Sequence, residues 1–230
     1  MLRSHQATSQ DTQRSGLEHQ IYLPEKPNKS CLLLVHGRAG SANVMWIFTK
    51  ALGQSRPTII APQAYIEDEI GGYSWWKIGS SDPGNKTRKI EQSYLNDPVN
   101  RLHNFILTLP ELYGVDLNNL VAFGFSQGAG ILAALSVRQP KLFKGIGLLS
   151  GFLPSPARYE LENNPSLVLP KIFMFHGTAD ETIKFARAKE DSEVLARFSS
   201  QLILEQDNVA HKVSSLGIRS LESWLSQFNL

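Results

Sequence analysis

The chain is 230 residues long, with a net charge of +2 and an apolar share of 42%. That size and share suit one domain with a large core, and a charge so near zero calls for no nucleic acid or other polyanion. A single cysteine, Cys31, excludes an internal disulfide and fits a reducing, cytoplasmic setting.

Residues 1–16 are polar and carry no apolar stretch of the signal-peptide kind. A flexible N-terminal tail is expected there, with a single domain over 17–230. Leu17–Leu23 reads as a first strand and Pro24–Ser30 as a turn-rich link. Cys31–Val35 is a continuous apolar run, as in a strand buried on both faces. Ser41–Gln54 places Val44, Trp46, Ile47 and Ala51 at helical spacing, and Thr58–Ala61 is another short buried strand. Pro62–Lys89 reads as a long loop, a kind that is usually functional. Asp97 and Pro98 suit the N-cap and first position of a helix that runs to about Leu112 and stops near Gly114. Strand 120–125, helix 127–138 and strand 145–149 follow. Ser150–Pro170 reads as a second loop, Ile172–Phe175 as a strand and Ile183–Phe198 as a helix. A strand over Gln201–Glu205 and a helix over Val213–Phe228 close the chain. Strands alternating with helices predict an α/β fold, a mostly parallel sheet with helices on both faces. Leu120–Val137 is apolar and of membrane-spanning length, but Ser126, Gln127 and three glycines within it argue against a span, so no integral membrane association is expected.

Between the apolar run Leu120–Phe123 and the helix that begins near Gln127 stands Gly124-Phe125-Ser126-Gln127-Gly128. A serine on a sharp turn from a buried strand into a helix is the nucleophile elbow of the α/β-hydrolase fold. Small neighbours let the strained turn close, and the helix N-terminus faces any anion that forms there. A serine capping an ordinary helix would show the same five residues.

A serine hydroxyl needs a base, and the base needs a carboxylate to orient it, in the chain order serine, acid, histidine. Two histidines follow Ser126. His211, between the last strand and the last helix, is the candidate base. His176, at a strand end, reads as structural. Asp180, in the turn after His176, is the candidate acid, with Glu181 and Asp207 as neighbours able to compete. An oxyanion hole needs two N–H donors, one from the residue after the nucleophile, Gln127, and one from a loop after an early strand. His36-Gly37-Arg38-Ala39-Gly40 supplies that loop, with Arg38 N–H as the donor. Trp75 and Trp76, beside Gly71-Gly72, wall a substrate pocket or plug the loop onto the core. No Cys/His metal spacing and no phosphate-binding glycine loop appears, so neither metal nor other cofactor is expected.

The segments His36–Gly40, Gly124–Ala129, His176–Asp180 and Ala210–Val213, in this order and spacing, resemble the phospholipase/carboxylesterase family of α/β-hydrolases, which includes the acyl-protein thioesterases. The resemblance runs from about Leu17 to the end. It implies a small serine esterase or thioesterase with no large cap domain and a small-molecule ester as substrate. Ala210 stands where many relatives have glycine, and Arg38-Ala39-Gly40 where many have Leu-Gly-Asp. With the aromatic loop, these departures point toward esters of short acyl chains. The alternatives are an acyl thioesterase or lysophospholipase, and a non-catalytic binding protein that uses the same cavity.

Overall fold

The structure, a computed structural model, describes residues 3–77 and 88–230, with 88–93 described by backbone alone. Its frame is one eight-stranded sheet. The strands in chain order are β1 (His5–Gln6), β2 (His19–Tyr22), β3 (Cys31–Val35) and β4 (Thr58–Pro62). Then, after a separate small ribbon of β5 (Ile66–Glu67) and β6 (Tyr73–Ser74), come β7 (Leu120–Phe125), β8 (Gly145–Leu149), β9 (Lys171–Gly177) and β10 (Leu202–Asp207). The sheet order is β1-β2-β4-β3-β7-β8-β9-β10. The six strands from β4 to β10 run parallel, and β1 and β2 add an antiparallel edge.

Both faces are covered. On one lie α2 (Arg88–Tyr113), α3 (Gln127–Arg138), α4 (Ser155–Glu162) and α5 (Phe185–Ala196), around a core that includes Leu102, Phe105, Leu132 and Leu195. On the other, a 3-10 helix (Ala42–Leu52) and α6 (Ser215–Leu225) pack Met45, Trp46, Leu221 and Trp224 against Leu34, Phe123 and Phe173. Each fully buried leucine or phenylalanine contributes about 1.5–3 kcal/mol relative to exposure, so double coverage explains why β3 and β7 read as unbroken apolar runs. This is the α/β-hydrolase fold expected. Between β8 and β9 the chain forms α4. Among the described residues no helix is long and apolar enough to cross a membrane.

The central register aligns the site. Val35 pairs with Gly124, Phe125 with Leu149, Leu149 with Phe175, and Gly177 with Asp207. The loops after β3, β7, β8, β9 and β10 therefore leave the sheet side by side, at the carboxyl ends where ligands bind in such sheets.

Several expectations are corrected. Of the flexible tail expected over 1–16, residues 5–16 are instead built onto the fold. β1 pairs with β2, and α1 (Ser9–Ser15) begins at a Thr8 capping box and ends at Gly16, φ 79°. Ala7 and Ser15 are buried, Arg14 pairs with Glu111, and His19 beneath them reaches Tyr113 Oη at 2.5 Å. Polar composition hid a short capped helix that buries few residues. α2 begins at Arg88, not Asp97, so Pro98 lies inside it. Leu95, Val99, Leu102, Phe105 and Ile106 are buried on either side of that proline, and their packing offsets its cost of about 3 kcal/mol. The Asp97 carboxylate, not acting as a cap, accepts from Tyr65 Oη at 2.6 Å and Arg101 Nε at 2.9 Å. The helix expected over Ser41–Gln54 is 3-10, and the loop expected over Ser150–Pro170 contains α4. Part of the loop expected over Pro62–Lys89, residues 78–87, lies outside the described residues.

The capping box gives a test. Thr8→Ala removes the acceptor of the Asp11 N–H and should cost about 1 kcal/mol in urea unfolding. No change in the unfolding midpoint would mean that the N-terminal helix melts independently of the sheet.

Candidate active site

Ser126 stands between β7 and α3 with φ 51° and ψ −115°. Two glycines make this turn possible. A Cβ built on Gly128 would lie 2.2 Å from Val35 O and 2.5 Å from His36 O, and one on Gly124 would lie 2.5 Å from Gly128 C. The helix thus presses on the end of β3 with backbone alone, and the serine N–H is held by Leu149 O at 2.9 Å.

The next two loops are stitched to one another. Thr178 N–H donates to Asp207 O (2.8 Å) and Ala179 N–H to Val209 O (3.1 Å), while a Cβ on Gly177 would meet Val209 O at 2.1 Å. This contact sets His211 over the elbow. His211 Nε2 lies 2.9 Å from Ser126 Oγ, and His211 Nδ1 lies 2.7 Å from Asp180 Oδ2. The other Asp180 oxygen, Oδ1, accepts from the N–H groups of Thr182 and Ile183, both at 2.9 Å. Burial pushes the Asp180 carboxyl up. The Ile183 N–H, His211 and the Thr182 N–H more than offset this and hold it below the usual carboxylate range. His176 is buried, donates through Nε2 to Ile183 O at 2.8 Å, and stands 3.2 Å from Asp180 Oδ2. It touches the acid and not the serine. Of the competing acids, Asp207 serves the backbone of Asn208, and Glu181 is exposed.

The loop after β3 lies against the elbow. A Cβ on Gly37 would sit 3.1 Å from Ser126 Cβ. In this loop Ala39 N–H goes to Ser74 Oγ (3.0 Å) and Gly40 N–H to Gly37 O and Tyr73 O, and no partner is found for the Arg38 N–H among the described residues. Sequence reading missed what holds this loop. Asp68 accepts from Ser74 Oγ at 2.7 Å and from Arg38 Nε at 3.0 Å, and these bonds take its carboxyl down to about 2. Gly72, at φ 68°, lets the ribbon of β5 and β6 approach: a Cβ there would lie 2.3 Å from Ala39 O. His36 completes the brace. It is fully buried, with Nδ1–H donating to Gly37 O at 2.7 Å and Nε2 accepting from Ala64 N–H at 3.0 Å. Burial lowers its pKa to about 4, against a smaller raising effect of the Gly37 bond.

A cavity of about 340 Å³ opens at Ser126 and His211. Trp76, Phe152, Ile183 and Ile70 wall it, with Arg38 and Gln127 at its edge. Of the two readings given for Trp75, pocket wall or core plug, the structure shows the second, which corrects its place in the pocket. It is fully buried in the core, with its indole N–H on His36 O at 2.8 Å and its backbone N–H on Gln127 Oε1 at 2.8 Å. Alternate residues of an extended segment face opposite ways, so one tryptophan points to the cavity and the other to the core. Gln127 also donates to Trp76 O at 2.9 Å, so its side chain clamps the aromatic loop to the elbow. Sequence reading also missed Phe152. Its place just beyond the end of β8 was the available signal. Phe152 is held by Leu153, whose N–H donates to the buried Asp191 at 2.8 Å, and by Arg187, 4.8 Å above its ring.

Comparison with known proteins shows the family. The sequence model of the family described as Phospholipase/Carboxylesterase matches residues 18–229. A protein of Candida albicans named Acyl-protein thioesterase 1 is 34% identical over 205 residues, covering 81% of this chain and 86% of its own. One of Yarrowia lipolytica with the same name is 26% identical, covering 90% and 96%. The crystal structure of a carboxylesterase from Mesorhizobium loti superimposes with a TM-score of 0.78 at 18% identity, covering 97% of this chain and 98% of that one. At that identity the likeness shows the shared fold.

The buried histidine predicts an acid-side loss of stability. Unfolded, His36 titrates near 6.5; folded, it does so near 4. The unfolded chain thus binds more protons in between, and stability falls as pH drops from about 6.5 toward 4, by on the order of 3 kcal/mol at most. His19, likewise lowered by burial, acts in the same direction. Urea midpoints across this range should slope upward with pH, and an NMR titration should leave the His36 ring neutral at pH 5. A His36 ring that titrates near 6.5 in the folded protein would contradict its burial.

Proposed function

The chain belongs to the phospholipase/carboxylesterase family, and within it we propose a serine carboxylesterase acting on short-acyl esters through an acyl-enzyme. The observation that carries this reading is the continuous chain of hydrogen bonds from Asp180 through His211 to Ser126. His211 Nε2 takes the Ser126 proton as Oγ attacks the carbonyl carbon, and the carbonyl oxygen becomes an oxyanion beside the N–H groups of Arg38 and Gln127. The same Nε2 gives that proton to the leaving oxygen as the C–O bond breaks. A water then attacks the acyl-enzyme, its proton passes through His211 back to Ser126 Oγ, and the carboxylic acid leaves. Asp180 keeps the His211 Nδ1–H pointed at itself and stabilises the imidazolium while it lasts. No cofactor enters these steps.

Acyl length follows from the walls. A cavity of about 340 Å³ is at the small end of the ~300–1,000 Å³ range of ligand pockets. Trp76 and Phe152 meet edge to face, ring centres 6.4 Å apart, and close it on one side. Acyl groups from acetyl to about hexanoyl fit this reading. Beyond that, steric conflict cancels the gain of about 0.8 kcal/mol per methylene. The relatives named acyl-protein thioesterase support a second reading, in which the leaving atom is sulfur and the acyl chain is longer. The same residues serve both chemistries, and the cavity walls favour the first.

Three kinetic outcomes test the proposal. Ser126→Ala should abolish turnover of p-nitrophenyl butyrate. His211→Ala should lower kcat by roughly three or more orders of magnitude, as loss of a triad member does, and His176→Ala by far less. A larger loss from His176→Ala would mean that the base is misassigned. Across p-nitrophenyl esters of increasing length, kcat/KM should peak by hexanoyl, and Trp76→Ala or Phe152→Ala should move the peak to longer chains. Trp75→Ala should instead destabilise the protein by roughly 3–5 kcal/mol, a core cavity's cost. A wild-type optimum at dodecanoyl would favour the thioesterase reading.

A further inference from the structure

Beside the Ser126 cavity lies a larger one, of about 610 Å³, between the 3-10 helix Ala42–Leu52 and the segment running from Lys212 into α6. The two cavities share Arg38 and Phe125. The Phe125 ring packs against the His211 ring, centroids 5.0 Å apart, so the partition stands on the His211 side of Ser126. The floor of the second cavity is apolar, built from Met45, Phe48, Val213 and Ile218. Val44 and Ile47 lie one 3-10 turn apart on the same wall, and they are 55% and 51% exposed. Every charged residue that lines this groove is a cation, and among the described residues no carboxylate does. Arg38 is held by Asp68, and Arg219 feels Asp207. Lys50 and Lys212 are exposed, and no side-chain partner is found for either among the described residues.

We propose that this groove is the leaving-group subsite, and that it takes an alcohol or thiol with an apolar body and an anionic end. The inference rests on the acyl-transfer reading above. In that reaction His211 Nε2 delivers its proton to the leaving atom, so the leaving group must depart on the His211 side of the serine. The groove is walled by Gly37 and Arg38 on one side and by Lys212, immediately after His211, on the other. The acyl group takes the smaller cavity at Trp76 and Phe152, and the groove receives what is released. Its apolar floor suits a chain, and its unopposed lysines suit a carboxylate, sulfonate or phosphate at the far end of that chain.

The test uses the whole protein and four esters. One is p-nitrophenyl butyrate. The others are butyrates of long alkanols that differ only at the far end: carboxylate, methyl ester or trimethylammonium. The wild type should prefer the carboxylate over the trimethylammonium ester by about tenfold in kcat/KM at low salt, and the ratio should shrink as salt rises. Lys50→Glu/Lys212→Glu should bring that ratio to one or below, with circular dichroism and the unfolding midpoint confirming that the variant folds. The ratio within each protein is the readout, whatever the variant's overall rate. If p-nitrophenyl butyrate is turned over while the wild-type ratio is near one, or the folded double variant keeps the tenfold ratio, the subsite is wrong and the acyl-transfer reading stands. If p-nitrophenyl butyrate is not turned over, that reading fails and the subsite falls with it.

Discussion

The backbone of Ser126 is held at φ 51° and ψ −115°, a conformation that a residue with a side chain adopts only under restraint. The restraint comes from both sides. The β7 register against β3 and β8 fixes the strand, and the Leu149 carbonyl holds the serine N–H. The first turn of α3 lies so close to Val35 and His36 that only glycine fits at 128. The hydroxyl therefore projects from the sheet edge while the helix behind it presents its N-terminus.

The other parts of the site are fastened to this point by backbone and polar bonds more than by apolar packing. The His211 loop rides on Gly177 and the Thr178 and Ala179 amides. Asp68, Ser74 and the Gly40–Tyr73 bridge tie the Arg38 loop to the small ribbon, and Gln127 ties the ribbon's end back to the elbow. These bonds are mutually dependent, since each loop is the partner of another. The serine–histidine–aspartate chain is thus held in place by the fold itself, which is what preorganised catalysis requires.

How much of this was legible in the sequence follows from the kind of signal each feature carries. β3, β7, β8 and β9 announce themselves because strands covered on both faces are apolar throughout. Ser126, Asp180 and His211 were readable because each stands at a strand end, in the order this chemistry needs. α1 was not readable, since its seven residues are polar and its support is a capping box and an edge strand. The start of α2 was misread because Asp97-Pro98 has the residues of a helix start, while distant packing decides the matter. The roles of Trp75 and Trp76 depend on which way each faces, and a two-stranded ribbon carries too little pattern to say. Asp68 and Phe152 act through partners far away in the sequence, Arg38 and Arg187, that no local pattern links to them.

The central claim is that Ser126 forms the covalent intermediate. It is tested most directly by mixing the protein with a p-nitrophenyl ester, quenching in acid within the first turnovers and mapping the peptides by mass. The account predicts the mass of one acyl group on the peptide that contains Ser126, placed on Ser126 by fragmentation. An acyl group on any other residue, or sustained turnover with no acyl-enzyme at Ser126 even with a slowly deacylating ester, would contradict it.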